Sequence, residues 1–199
     1  MIQPELLRPF YNYLNKFSKL SEEEFQLIAK YIRVVQFEGK EIITKKGQIE
    51  NYIYFILKGL VRKYYIKYKQ EFNTQISYEG HLIHSQESFH NRKPSNYIVE
   101  TIEPSTLISI HYDDLEKLYR MAEKFEHLGR LIITYTMVLK DNWRAQLTEL
   151  PSKERFINFL NKHPEMLHRV PQKFLASYLN MRPETFSRLK HLMQSNKKK

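Results

Sequence analysis

Cysteine is absent from all 199 residues. That excludes disulfide scaffolds, thiolate zinc sites, Cys-ligated iron–sulfur clusters and a cysteine nucleophile. Long hydrophobic runs are also lacking: none approaches the roughly 18 to 20 residues of a membrane span. Met1–Lys16 does not show the basic-then-apolar layout of a signal peptide. A soluble, cytoplasmic protein with no membrane partner is therefore expected. No Gly-rich phosphate loop, Ser-His-Asp order or paired-carboxylate constellation stands out, so no catalytic residue is assigned, and neither an enzyme nor a cofactor is expected. Tryptophan occurs once, at Trp143, and the basic C-terminal segment has no helix that pairs a wide apolar face with flanking Trp, as a membrane-surface helix would.

What is present is a globular composition, 42% hydrophobic and 27% charged, with 14 Tyr and 12 Phe to fill a core. Acidic residues are scarce in one region only. Residues 151–199 hold 11 Lys/Arg against 3 Asp/Glu, a balance of +8, whereas residues 1–150 hold 21 against 19, a balance of +2. Most of the net +10 thus lies in the last quarter of the chain. Lys197, Lys198 and Lys199 supply three of these charges, and +5 remains without them. A concentrated positive field attracts polyanions, nucleic acid first among them.

The periodicity divides the chain. Residues 5–32 read as helical: Ser18 or Ser21 is placed to cap, Glu22, Glu23 and Glu24 suit a first turn, and Phe25, Ile28, Ala29 and Ile32 form a stripe. From Val34 to Ile110 the runs Ile42-Ile43, Tyr52–Leu57, Leu60–Tyr68, Phe72–Tyr78, Tyr97–Glu100 and Leu107–Ile110 read as short strands. They are punctuated at Gly39, Gly47, Gly59 and Gly80. Such spacing predicts an antiparallel sandwich or barrel such as a jelly roll. Beyond Tyr112, Asp113 or Asp114 is placed to cap a helix in which Leu115, Leu118, Ala122 and Phe125 share a stripe. Leu128, Ile132, Tyr135 and Leu139 continue it as a heptad seam, a candidate homodimer interface, with packing on the chain's own β domain as the alternative. Pro151 marks a boundary, a short helix opens at Ser152-Lys153-Glu154 and runs through Leu160, and His163-Pro164 ends it.

Val170–Gln194 reads as two short helices about a tight turn. Ala176 is small enough for a second helix to approach, Asn180 tolerates a left-handed turn conformation, and Pro183 suits the first turn of the next helix. This is the spacing of a helix-turn-helix. On the second helix Phe186, Leu189 and Met193 fall on one side, and Glu184, Ser187, Arg188 and His191 on the other. Arg can bond guanine bidentately and Glu can accept from cytosine. Lys173, Arg182 and Lys190 lie at the flanks, as phosphate contacts would. Double-stranded DNA is the expected partner.

The run Arg182-Pro183-Glu184-Thr185-Phe186-Ser187-Arg188 resembles the recognition helix of the Crp/Fnr transcription regulators, and Gly47, Gly59 and Gly80 match the turn glycines of their sensor. The resemblance covers nearly the whole chain. It implies an α+β protein: a β-roll sensor of the cyclic-nucleotide-binding type over 1–112, a dimerisation helix over 113–150 and an all-α helix-turn-helix domain over 151–199. By resemblance Glu184 and Arg188 read bases, Thr185 belongs to the DNA-contacting set, and a homodimer binds an inverted repeat. RNA polymerase and an unidentified small-molecule effector are the further partners it admits. Two departures matter. Cyclic-nucleotide binders of the family carry Gly-Glu and Arg-Ser where a gap-free alignment puts His84-Ser85 and Ser95-Asn96. Both charged anchors are missing, so cyclic AMP is not expected to bind in the usual mode; Arg92 or Lys93 is the nearest replacement cation. The β-hairpin wing that usually follows the recognition helix is also expected to be missing.

A different class remains as the alternative, a cupin-like β-roll metal enzyme or small-molecule-binding protein. His81, His84, Glu87 and His90 lie close together. On a strand, positions i and i+3 face opposite ways, and no helical stripe is legible across this segment. No metal site is therefore expected there.

Overall fold

A computed structural model describes residues 4–196, with backbone alone for residue 4 and residues 192–196. The chain opens with α1 (Pro4–Asn15) and α2 (Glu22–Ala29), then β1 (Ile32–Phe37), β2 (Ile42–Thr44), β3 (Tyr52–Lys58), β4 (Val61–Lys67), β5 (Gln70–Ser77) and β6 (Leu82–Ile83). Helix α3 (Gln86–Asn91) precedes β7 (Ile98–Thr101) and β8 (Ser105–His111), and α4 (Tyr112–Met121) leads into the long α5 (Glu123–Glu149). The described chain finishes with α6 (Ser152–Lys162), α7 (Met166–Arg169), α8 (Gln172–Tyr178) and α9 (Pro183–Asn196).

The strands form two antiparallel sheets, ordered β1-β8-β3-β6 and β2-β7-β4-β5. Alternation along β3 sorts its side chains: Tyr54 and Ile56 face the roll interior with Val61, Val99 and Leu107, while Phe55 packs outward with Ile32 and Ile108 against α1, α2, α4 and α5. Gly59, at φ +107, makes the β3–β4 turn, where an added Cβ would lie 2.8 Å from Ser105 Cα.

Three boundaries differ from the sequence reading. The segment 5–32 is two helices and the start of a strand. Asn15 closes the first helix, donating to Tyr11 O at 2.9 Å and accepting from Leu20 N at 2.9 Å. Ser21 then caps α2 in a capping box with Glu24, and Ile32 pairs with Ile110 in β1 rather than completing a helical stripe. The helix after Tyr112 is capped by His111, whose Nδ1 accepts from Asp113 N at 3.2 Å, rather than by Asp113 or Asp114. It breaks at extended Ala122 (φ −157°, ψ 133°), so α4 folds back on α5 with the Tyr119 ring where a Cβ of Gly129 would sit. Finally, the segment around Glu87 is helical, as α3, although too short to show a stripe; it buries Ser88 and Phe89.

A second core joins α6–α9 to the roll: Phe156, Phe159, Leu160, Met166, Leu175, Ala176, Leu179 and Phe186 cluster with its Leu60 and Ile76.

Candidate nucleic-acid interface and sensor pocket

The turn between α8 and α9 is a Schellman motif. Met181 N donates to Ala176 O at 2.9 Å and Asn180 N to Ser177 O at 3.1 Å, with Asn180 at φ +51°. Ala176 is fully buried, which lets α9 approach, and Phe186 meets Phe156 edge-on at 5.1 Å. Arg155, on α6, clamps this turn: its guanidinium donates to Leu179 O (3.0 Å) and Asn180 O (2.9 Å), and to Leu147 O (3.2 Å) and Leu150 O (2.5 Å) at the end of α5.

Burial of Phe186 and Leu189 fixes the rotation of α9. Glu184, Arg188 and His191 are consequently exposed, Ser187, Thr185 and Lys190 are half-buried, and Arg182 and Lys173 are exposed at the flanks. The side chain of Met193, and all of Lys197, Lys198 and Lys199, lie outside the described residues, as does any chain on which a wing would be judged.

The helix-turn-helix rests on the roll through β4 and β5. Arg62 is the centre of the contact: its guanidinium lies 3.9 Å over the Tyr64 ring and 3.7 Å over the Phe174 ring of α8, and it pairs with Glu100 (3.0 Å) and Glu71 (2.6 Å). Beside it Asn73 N donates to Ser177 Oγ at 2.9 Å. Arg169 bridges Glu79 (2.8 Å) and Glu103 (2.6 Å), and Trp143 of α5 stacks on Tyr178 of α8 at 4.5 Å.

In the roll, Ser85 and Ser95 come together, buried and bonded Oγ to Oγ at 2.8 Å. Asn96 is exposed. His84 is buried, its Nε2 has no hydrogen-bond partner, and burial holds its pKa well below the usual histidine value, helped by the charges of Lys63, His90 and Lys140. Glu50 occupies the same pocket, accepting from Thr44 Oγ1 at 2.6 Å and Ser85 N at 3.3 Å, with its pKa raised by burial. Arg92 is directed elsewhere, donating to Glu50 O at 2.7 Å and lying 4.2 Å over Tyr112. Lys63 points into the roll, donates to His84 O at 3.3 Å, and is pushed down to about 7 by burial and the nearby Lys140. Among the described residues no group of three or more His, Asp or Glu gathers as a metal site would require; His81 instead packs at a tilt against Tyr78, whose hydroxyl bonds His163 at 3.1 Å.

The seam residues divide. Leu128 is buried in the sensor's own core, and Ile132 packs against it. Tyr135 meets Phe17 edge-on at 5.3 Å but stays 46% exposed, and Leu139 is 43% exposed. Ile133, Met137 and Val138 add further exposed apolar surface on α5. Arg62, Glu50, Lys63, Lys140 and Arg155 were not singled out from the sequence. The available signal was Arg62-Lys63 inside the apolar run Leu60–Tyr65, since cations in a buried strand require specific partners.

Residues 34–121 match the family model of the cyclic nucleotide-binding domain. No curated protein matches the chain. Among solved structures, the chain is similar to FixK2 from Bradyrhizobium japonicum (TM-score 0.71, 16% identity, 83% of this chain and 85% of that one). It is also similar to the c-di-GMP-responsive global regulator CLP of Xanthomonas campestris (0.69, 14%, 88% and 93%). A protein from Eubacterium rectale described as a transcriptional regulator of the Crp/Fnr family gives 0.69 at 12% identity, over 93% and 88% of the two chains. The chain thus has a cyclic-nucleotide-binding-type domain within the Crp/Fnr fold, and no helix among the described residues is long and apolar enough to cross a membrane.

Proposed function

We propose that the chain is a sequence-specific DNA-binding transcription regulator, a cytoplasmic homodimer without enzymatic activity. The observation that carries this reading is the α8–α9 unit: a Schellman turn locks α9 so that Phe186 and Leu189 are buried while Glu184 and Arg188 face outward. These are side chains able to read base edges, with Arg182 and Lys173 beside them for phosphates. Residues 1–112 act as sensor, 113–150 as connecting and dimerisation helix, and 151–199 as DNA-binding domain. Dimerisation uses the exposed part of α5, where Ile133, Tyr135, Met137, Val138 and Leu139 are 38–58% exposed. Pairing there sets two recognition helices about one DNA turn apart, and the site is an inverted repeat.

Cyclic AMP is not the effector in the usual mode. Ser85 and Ser95 satisfy each other, and Arg92 is held by backbone away from them. A buried cyclic phosphate would find no guanidinium there. Calorimetry with cyclic AMP is expected to show no heat.

The DNA reading is tested by incubating the purified chain with fragmented DNA of its source genome at physiological salt and sequencing what is retained. One shared inverted repeat is the expected outcome. Uniform retention that disappears with added salt refutes sequence specificity and leaves phosphate binding alone.

A further inference from the structure

A cavity of about 130 Å³ lies between the outer face of the first sheet and helices α1, α4 and α5. This is the opposite face of the sheet from the roll interior. Phe10, Phe55, Ile108, Leu118 and Phe125 give it apolar walls. A cavity of this size and lining accommodates a molecule of roughly benzene dimensions, as an engineered apolar cavity of about 150 Å³ does.

The rest of the lining is different in kind. His84, Gln86, His90 and Lys140 also border the cavity and belong to one cluster: the His84 and His90 rings lie 5.8 Å apart, and Lys140 Nζ donates to Gln86 Oε1. His84 is 94% buried, from a relative exposure of 6%, yet Nε2 is without a partner. Lys63 packs against Lys140 from the roll side. Among the described residues neither lysine forms an ion pair. The Glu50 carboxylate acts on Lys63 from within the roll but not on Lys140, so the half-buried Lys140 ammonium has no carboxylate of its own, and a bound anion relieves that. An ammonium has three donors, so Lys140 keeps donors to spare beyond Gln86.

We propose that this cavity binds a small hydrophobic monocarboxylate, aryl or short-chain alkyl, with its body against the apolar walls and its carboxylate held by Lys140 and His84 Nε2. The neutral imidazole donates from Nε2, and the Lys63 amine supports Lys140 from the roll side. That such a ligand acts as the effector rests on the regulator reading above; that it binds does not.

Calorimetry on the full chain compares benzoate and hexanoate with benzyl alcohol and 1-hexanol, which share their bodies but lack the charge. Both acids bind, at least about ten-fold more tightly than the alcohols. Lys140→Gln weakens the acids by at least about ten-fold and leaves the alcohols unchanged, Lys140→Arg retains acid binding, and Thr136→Phe, which fills the cavity, removes both. Trp143 emission and the melting temperature check that each variant is folded. Equal binding of acids and alcohols, no binding of either, or acid binding indifferent to Lys140→Gln would each overturn the proposal. DNA capture, run in parallel, separates the two readings. Acid binding by a chain with no specific DNA site removes the regulator reading alone, and specific DNA binding without acid binding removes this proposal alone.

Discussion

The contact between Arg62 and Phe174 makes a quantitative test of how the helix-turn-helix is held on the roll. Arg62 has a side-chain exposure of 3% and Glu100 one of 12%. Removing the cation from such a pair leaves a buried carboxylate uncompensated, so Arg62→Ala is expected to cost about 3–5 kcal/mol. Most of that loss is internal to the sensor, because Glu100, Glu71 and Tyr64 all lie there. The part that crosses to α8 is the stacking on Phe174 at 3.7 Å, worth about 1–2 kcal/mol for a desolvated cation–π contact. A double-mutant cycle of Arg62→Ala and Phe174→Ala isolates it. Urea unfolding read through Trp143 is the assay, since this single tryptophan stacks on Tyr178 beside the same interface. A coupling energy of about 1–2 kcal/mol is expected. Additivity within about 0.5 kcal/mol would refute the assignment and leave Arg62 a purely internal sensor residue.

Arg188→Ala is expected to lose about 1–3 kcal/mol on the specific DNA site and relax preference at one base position, measured by binding to a set of single-base variants. Equal loss on all sequences would make Arg188 a phosphate contact. Asn180→Ala, at φ +51°, should destabilise by about 1–2 kcal/mol in thermal unfolding, and Asn180→Gly should not. Ser21→Ala removes the capping box of α2 and costs about 1 kcal/mol, read by denaturant midpoint. The unliganded protein should gain stability as pH rises from about 7 toward 9, because Lys63 is held near 7 when folded and at its ordinary higher value when unfolded. In that window the unfolded chain binds more protons, so deprotonation favours the fold. Lys63→Met should raise the melting temperature at pH 7 and flatten that slope, and an unchanged slope would show that Lys63 is not its source.

The strands of the roll were legible because each carries its own β-branched or aromatic run between turn residues, and local pattern suffices for that. Ile32 was not, because it sits at helical spacing from Phe25, Ile28 and Ala29, and only pairing with Ile110 makes it a strand residue. The break at Ala122 has no local signal beyond Gly129, whose missing side chain is what admits Tyr119 from the preceding helix. The helix-turn-helix was legible for the same local reason as the strands: Ala176, Asn180 and Pro183 specify a turn within eight residues. Its attachment to the sensor was not, since Asn73 and Ser177 are 104 positions apart and nothing in either neighbourhood indicates the other. In the sensor, a gap-free alignment brought Ser85 and Ser95 to the same place, but Lys63 and Lys140 reach each other only through the packing of α5 on the roll.

Helix α5 is where these parts meet. Its first half is sealed into the sensor by Phe125 and Leu128. Lys140 stands at the polar cluster bordering the apolar cavity, and Trp143, three residues on and thus on nearly the same face, stacks against the helix-turn-helix at Tyr178. The end of the helix is fixed to the turn before α9 by Arg155, which bonds Leu147 O, Leu150 O, Leu179 O and Asn180 O together. An intact helical backbone transmits a rotation or shift of Lys140 to Trp143 over a single turn, about 5 Å along the axis. Arg155 bonds that end of the helix to the turn before α9, the helix that carries Glu184 and Arg188. The exposed Ile133, Met137 and Val138 lie just before Lys140, so a second copy docked there would bear on the same turn of helix. On the proposed readings, occupancy of the cavity and pairing of two chains would both bear on the ten or so residues around Lys140, and α9 would feel them through Arg155 as well as through the direct contacts of Arg62, Asn73 and Arg169 between the roll and α7–α8.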